Sequence, residues 1–245
     1  MSEKPSVIFL MGPTATGKTE LAIYLYEKMN AEIISVDSAM VYQGLDIGTA
    51  KPSKEILEKI PHRLIDICDP KESYSAARFQ QDAYSAIDDI HDQGKIPIFV
   101  GGTGLYFRSL EHGLDILPEA DFSVRAEIEV EAEAKGWKYM HKKLSKIDSK
   151  SALRINRNDT QRIQRALEVY EITGNTLTEL TSRNGRKSFP FPIKKIILSP
   201  NDRAELHKRI KKRFVTMLDI GLVEEVESFY RRGDLSLDLP SMRLV

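Results

Sequence analysis

Gly12-Pro13-Thr14-Ala15-Thr16-Gly17-Lys18-Thr19 stands between an apolar run, Ser6-Val7-Ile8-Phe9-Leu10-Met11, and a stretch with apolar positions at 21, 22, 25, 26 and 29. The octapeptide fits G-x-x-x-x-G-K-[ST] in full, and its flanks read as a buried strand before it and an amphipathic helix after it. The glycines let the backbone curl until successive N–H groups converge on phosphate oxygens. The start of the following helix adds its positive dipole end. Lys18 supplies a point charge, and the Thr19 hydroxyl is suited to Mg²⁺. The loop therefore reads as a site for a di- or triphosphate, and by itself it does not specify ATP.

Working outward, residues 33–36 and 96–100 are further short apolar runs rich in β-branched residues. Between them, residues 70–90 turn helical in their second part, with apolar positions at 76, 79, 83, 86, 87 and 90. Strands alternating with helices of this size predict a parallel α/β sheet. Pro97 is tolerable near the start of its strand. Beyond about residue 115 the strand signal fades. Residues 124–135 are acidic and helical, and residues 162–172 are strongly helical up to Thr173-Gly174. A strand pattern returns at 193–198, followed by one or two helices over 205–230 with Gly221 as the break. The expected organisation is an α/β, P-loop NTPase-like core of parallel sheet flanked by helices over 1–115 and 190–245. An all-helical insertion subdomain is expected over 116–189.

The chain has 245 residues, 41% of them hydrophobic and 29% charged, as soluble globular chains do. No apolar run approaches the roughly 18 residues of a membrane helix, so no membrane partner is expected. Residues 7–11 are too short a run for a signal peptide. Cys68 is the single cysteine, which excludes a disulfide framework and a multi-cysteine zinc site. A cytoplasmic monomer is the expectation.

Charge is balanced at 36 basic and 36 acidic residues, but the balance conceals a gradient. Residues 1–110 carry 11 basic and 15 acidic groups, residues 111–137 carry 2 and 8, residues 138–213 carry 20 and 7, and the remainder 3 and 6. A concentrated basic stretch is the footprint of a polyanion partner; a solvated helical surface is the alternative.

Several side chains are candidates for chemistry. Asp37 follows the second strand, at the edge that faces the ligand crevice of a parallel sheet. It can serve as a general base, hold Mg²⁺, or simply cap the next segment. Gly101-Gly102-Thr103-Gly104 follows the strand at 96–100, and is either a close-approach turn for a ligand or a plain tight turn. Asn158-Asp159-Thr160-Gln161-Arg162-Ile163-Gln164-Arg165 opens a helix that Asp159 or Thr160 can cap; Arg suits phosphate and Gln a base edge. Arg209 and Arg213 share a helix face within Lys208-Arg209-Ile210-Lys211-Lys212-Arg213. The five histidines show no metal spacing, and His62 lies in an expected loop before a strand.

Taken together, GPTATGKTELA, ISVDSAMVYQGLDIGTAKP, PHRLIDICDP, YSAARFQQDA, VGGTGLYFRSL and NDTQRIQRALEVYEITG resemble the bacterial tRNA dimethylallyltransferases (tRNA isopentenyltransferases) from about residue 7 to the end. The second, fifth and sixth segments are far more specific than the phosphate loop. The resemblance implies transfer of a dimethylallyl group from dimethylallyl diphosphate to N6 of the adenosine beside the tRNA anticodon (position 37), with diphosphate leaving and Mg²⁺ as cofactor. It implies catalytic roles for Asp37, Thr19 and Arg213, with Asp37 as the base. It implies a diphosphate cradle of Gly12, Pro13, Thr14, Ala15, Thr16, Gly17, Lys18 and Thr19, with Thr19 near the metal. It implies tRNA contacts at Asp37, Ser38, Ala39, Met40, Thr103, Arg125, Gln161, Arg162, Ile163, Gln164, Arg165 and Arg243, and a target adenine flipped out of its stack. Members of that family continue with a Gly-Tyr-Arg-Gln segment and further helices, so a C-terminally truncated form is implied. Two other readings stay open on the residues alone: a P-loop kinase of a small metabolite, using Asp37 toward a hydroxyl, and an RNA-binding module without chemistry.

Overall fold

The computed structural model describes residues 6–183 and 189–244. The chain divides into two compact units, Met1–His112 together with Ser188–Val245, and Gly113–Lys187.

The first unit opens with β1 (Val7–Met11), the phosphate loop and α1 (Lys18–Lys28), followed by β2 (Ala31–Val36), α2 (Lys54–Lys59) and β3 (His62–Arg63). Then come α3 (Ala76–Asp92), β4 (Ile96–Gly101) and α4 (Gly104–His112). The strands, with β5 (Ile193–Ile197) from later in the chain, form one sheet of order β3-β2-β4-β1-β5, and every pairing is parallel. Alternate residues of each strand serve opposite faces. Phe9, Ile34, Val36 and Phe99 meet Phe79, Ala83, Ile87 and Ile90 of α3 and Tyr106, Phe107 and Leu110 of α4 on one side. Ile8, Leu10, Ile33 and Ile98 meet Leu21, Ala22 and Leu25 of α1 on the other. Burial on both faces is why these strands read as unbroken apolar runs. The apolar spacing read over 76–90 is the buried stripe of α3, whose first turn is capped by the Ser75 hydroxyl accepting from the Arg78 N–H. Pro97 stands opposite Glu32 of β2, one residue before β1 pairing begins at Ile98, so its missing N–H leaves no ladder bond on β1 unmade.

One expectation is corrected here. His62 is not in a loop before a strand; it is in β3 itself, opposite Ile33 of β2. A two-residue strand leaves no periodic signal for sequence reading to find.

The second unit is all-helical: α5 (Phe122–Lys135), α6 (Trp137–Ile147), α7 (Ser149–Arg154), α8 (Thr160–Thr173) and α9 (Leu177–Arg183). Its core joins Ile128 and Ala132 of α5, Met140 and Leu144 of α6, and Ile163, Ala166 and Leu167 of α8. Aspartates start three of these helices. Asp121 accepts from Ser123 and Val124, Asp148 from Ser151, and Asp159 from Arg162. Asp148 also accepts from the amide and hydroxyl of Thr178, which latches α9 to the start of α7. α8 ends on Gly174 in the left-handed conformation.

The chain returns to the sheet as β5 (Ile193–Ile197) beside β1, an edge strand carrying Lys194 and Lys195, charges that discourage further strand pairing. It closes with α10 (Arg203–Asp219) and α11 (Leu222–Arg231), separated at Ile220-Gly221 with Gly221 at φ 106°, the break read at this glycine. The basic stretch 138–213 does not coincide with the helical unit. Gly113–Lys187 carries 14 basic and 12 acidic residues, and much of the excess falls on β5 and α10 instead. No helix of the described residues is long and apolar enough to cross a membrane.

Candidate active site

The loops that follow β1, β2 and β4 gather at the carboxyl edge of the sheet, where open parallel sheets bind ligands. The phosphate loop is held by its own side chains. Thr16 Oγ1 donates to the Pro13 carbonyl at 2.8 Å, and Lys18 Nζ to the same carbonyl at 2.7 Å. Ala15 at φ 60° and Gly17 at φ 85° adopt left-handed conformations, and Gly17 caps α1. Gly12 is required for a different reason: a Cβ there would stand 2.4 Å from the Leu198 carbonyl oxygen. Burial pushes the Lys18 ammonium below its ordinary pKa, with Asp37 opposing and Arg213 assisting that shift.

Asp37 sits one residue past β2. Its Oδ1 accepts from the amides of Ala39 at 2.9 Å and Met40 at 3.3 Å, while Oδ2 takes no hydrogen bond among the described residues. The cap and the candidate base are thus two oxygens of one carboxylate. Gly101 closes β4 against Val36, and a Cβ there would stand 2.0 Å from the Val36 carbonyl oxygen. The missing side chain of this glycine serves the close approach of two strands, and its backbone also lines the cavity. Gly102 lines the cavity, and Thr103 Oγ1 accepts from the Ser38 amide at 3.1 Å, fixing the turn that carries Asp37.

Arg213 of α10 reaches over the phosphate loop. Its guanidinium donates to Thr14 Oγ1 at 3.1 Å and to the Thr49 carbonyl at 3.4 Å. Thr14 to Glu20, Asp37, Thr49, His62, Arg209 and Arg213 line one cavity of about 430 Å³. Sequence reading singled out neither Thr49 nor Glu20 as a wall of the site, though Thr49 lies within the distinctive DIGTAK segment. His62 Nδ1 stands 2.7 Å from the Ile60 carbonyl; a carbonyl only accepts, so Nδ1 carries the proton. Burial lowers the His62 pKa, against a smaller opposing effect of that hydrogen bond, and favours the neutral ring.

The candidates on the helical unit divide sharply. Gln161 and Arg162 are exposed at the start of α8, with Arg162 three-quarters exposed and 3.4 Å from Asp159. Ile163 beside them is fully buried in the core of the helical unit, so its side chain offers no surface to a partner. Gln164 donates to Glu129, and Arg125 and Arg165 both close on Glu168, whose side chain is fully buried. Burial alone would raise the Glu168 carboxyl, but hydrogen bonds from Arg125, Arg165 and the Asp121 amide together hold it below the usual carboxylate range. Arg243 lies near the end of the described chain, 4.0 Å from Asp238.

A stability prediction follows from Glu168. Glu168→Ala leaves two partly exposed guanidinium groups and the Asp121 amide without their buried acceptor, and the expected loss is about 1–3 kcal/mol, read from chemical denaturation. Because the folded-state pKa is depressed, the wild-type contribution is complete above the unfolded value of about 4.3 and is lost as pH falls through the folded one. A Glu168→Gln protein should therefore show a flatter decline in stability below that value than wild type; an unchanged decline would assign the acid sensitivity to other carboxylates.

The parallel sheet, the phosphate loop at its edge and the carboxylate beside it define a P-loop-type α/β protein with an added helical unit. Residues 40–245 match the family model described as IPP transferase. Two curated proteins named tRNA dimethylallyltransferase, from Alkalilimnicola ehrlichii and Thioalkalivibrio sulfidiphilus, are each 56% identical over 241 residues. The alignments cover 98% of this chain and 76% and 75% of theirs. The crystal structure of the full-length tRNA isopentenylpyrophosphate transferase of Bacillus halodurans is similar at 38% identity and TM-score 0.64, over 98% of this chain and 74% of that one. A eukaryotic dimethylallyltransferase acting on tRNA is similar at 32% identity and TM-score 0.74, over 93% of this chain and 56% of that one. The chain belongs to the IPP transferase family.

Proposed function

We propose that this chain transfers a dimethylallyl group from dimethylallyl diphosphate to N6 of the adenosine next to the anticodon of tRNA, releasing diphosphate. The observation that carries the reading is the pairing of one unbonded Asp37 oxygen with a phosphate cradle in the same cavity. The exocyclic amine of adenine is a weak nucleophile because its lone pair is delocalised into the ring. As N6 bonds to C1 of the dimethylallyl group, the C–O bond to diphosphate breaks and its electron pair leaves with the diphosphate. The N6 proton passes to Asp37 Oδ2. Lys18, Arg213 and the loop amides receive the charge that develops on the departing oxygens. His62, neutral and anchored through Nδ1, adds no charge to that of Lys18, Arg209 and Arg213 on the same wall.

Among the described residues, no group of three or more His, Cys, Asp or Glu forms a metal cage. A Mg²⁺ that retains waters and takes phosphate oxygens needs only one or two protein ligands. Thr19, with Asp37 and Glu20 on the same wall, fits such an ion. Thr19 would hold it, and bound there it would neutralise diphosphate charge.

For tRNA, the reading assigns Ser38, Ala39, Met40 and Thr103 to the acceptor nucleotide and the exposed start of α8 to the RNA backbone. Arg162→Ala should weaken tRNA binding several-fold and reduce the salt slope by about 1, with folding unchanged. Arg165→Ala and Arg125→Ala should act first on stability, through Glu168. If Arg162→Ala leaves the slope of affinity against salt unaltered, that contact is absent.

The reaction itself is tested by incubating the chain with dimethylallyl diphosphate, Mg²⁺ and unmodified tRNA, and weighing the tRNA nucleosides. A five-carbon gain on adenosine is expected. Absence of that gain together with preferential binding of ATP over dimethylallyl diphosphate would sink the assignment in favour of a kinase.

A further inference from the structure

Glu225 lies on α11, outside the cavity, and its carboxylate meets three consecutive backbone amides. Oε2 accepts from Asp46 at 2.9 Å and from Ile47 at 2.7 Å, and Oε1 accepts from Gly48 at 2.9 Å. Successive amides converging in this way form an anion-binding concavity, and here the protein fills it with its own side chain. The contact is close-packed. A Cβ on Gly48 would stand 3.2 Å from Leu222 Cδ1 and 3.5 Å from Glu225 Oε1. From the other side the same loop is held by Lys51, whose nearly buried ammonium donates to the Tyr42 carbonyl and to the carboxylates of Asp46 and Asp66.

The clamped loop includes Thr49, and beside it Ala50 stands in the left-handed region at φ 53°. A non-glycine residue keeps such a conformation only where its surroundings over-determine it. The Thr49 carbonyl accepts from Arg213, the arginine that also donates to Thr14 of the phosphate loop. Hydrogen bonds at both ends of the backbone segment 46–49 therefore connect Glu225 to the guanidinium over the phosphate cradle.

We propose that Glu225 is a positioning residue for diphosphate: by fixing the amides of 46–48 it sets the Thr49 carbonyl that aims Arg213 at the leaving group. The inference rests on the diphosphate reading of the cavity above. Glu225→Gln keeps one acceptor oxygen but turns an NH₂ toward backbone N–H groups, so the loop loses its register while the helix keeps its shape. Glu225→Asp keeps the charge and withdraws it by one methylene.

The test is calorimetric binding of inorganic diphosphate with Mg²⁺ to wild type, Glu225→Gln, Glu225→Asp, Arg213→Ala and the Glu225→Gln/Arg213→Ala double variant. Glu224→Gln, an exposed neighbour on α11, serves as control. Glu225→Gln should weaken diphosphate about 5- to 20-fold, within the range of coupled neighbours, and Glu225→Asp should weaken it less. The double variant should bind no worse than Arg213→Ala alone. A purely structural role for Glu225 would instead give losses that add. Additive losses, or wild-type affinity in a folded Glu225→Gln or Glu225→Asp, overturn the proposal. Wild type that fails to bind diphosphate overturns the cavity reading itself, and the positioning role with it.

Discussion

Asp37→Asn should reduce prenyl transfer about 10²- to 10⁴-fold, the usual worth of a positioned general base, while leaving tRNA and diphosphate affinity close to wild type. Asparagine is the informative substitution because the proposal divides two roles between the oxygens of Asp37. Oδ1 caps the turn through the amides of Ala39 and Met40, and an asparagine Oδ1 accepts those same bonds. Oδ2 is replaced by an NH₂, which donates and has no lone pair for the N6 proton. An alanine would remove cap and base together, mixing loss of chemistry with movement of Ser38 and Thr103. Single-turnover transfer with saturating tRNA and dimethylallyl diphosphate separates the chemical step from binding. If the asparagine variant keeps most of its rate, the N6 proton leaves by another route and the base assignment is wrong.

The same residue shows what the sequence could and could not reveal. That Asp37 stands beside the phosphate loop was readable, because β1, β2 and β4 are buried on both faces and appear as apolar runs, each ending at the crevice. That its two oxygens have different partners was not, since the cap depends on the turn geometry of residues 37–40. The run Gln161 to Arg165 divides for a related reason. Helical periodicity places Ile163 with Ala166 and Leu167 on the buried face, which the spacing already contained. The capture of Arg165 and Arg125 by Glu168 was not readable, because a glutamate in a polar helix gives no sign of being fully buried. The basic stretch is contiguous along the chain, yet the fold shares it between two units, since β5 and α10 return to the sheet. Glu225 had no local signal at all. Its role depends on a contact with residues nearly 180 positions earlier.

Lys18→Ala should have the second large effect, on both binding and rate. Lys18 is the cation rooted in the phosphate loop itself, and its ammonium lies at the Pro13 carbonyl, 2.7 Å away, at the mouth of the cradle. A charged hydrogen bond of this kind contributes roughly 1.5–3 kcal/mol, so diphosphate affinity should fall about 10- to 150-fold. The loss in transfer should exceed the loss in affinity. Negative charge concentrates on the departing oxygen as the C–O bond breaks, so a fixed cation stabilises the transition state more than the bound substrate. Burial lowers the Lys18 pKa, so the free ammonium is already partly stripped of water and little reorganisation remains when diphosphate arrives. The group counts only while protonated. Activity that depends on Lys18 should therefore decline as pH rises through its lowered pKa, and Lys18→Arg, protonated throughout, should lose that alkaline limb while keeping part of the affinity. Arg213 does not make Lys18 redundant, because it approaches the cradle from α10, held by Thr14 and the Thr49 carbonyl, and not from within the loop. Equal losses in affinity and in transfer for Lys18→Ala would mean that the ammonium binds diphosphate uniformly in ground and transition states, and that leaving-group stabilisation comes from Arg213 and the loop amides.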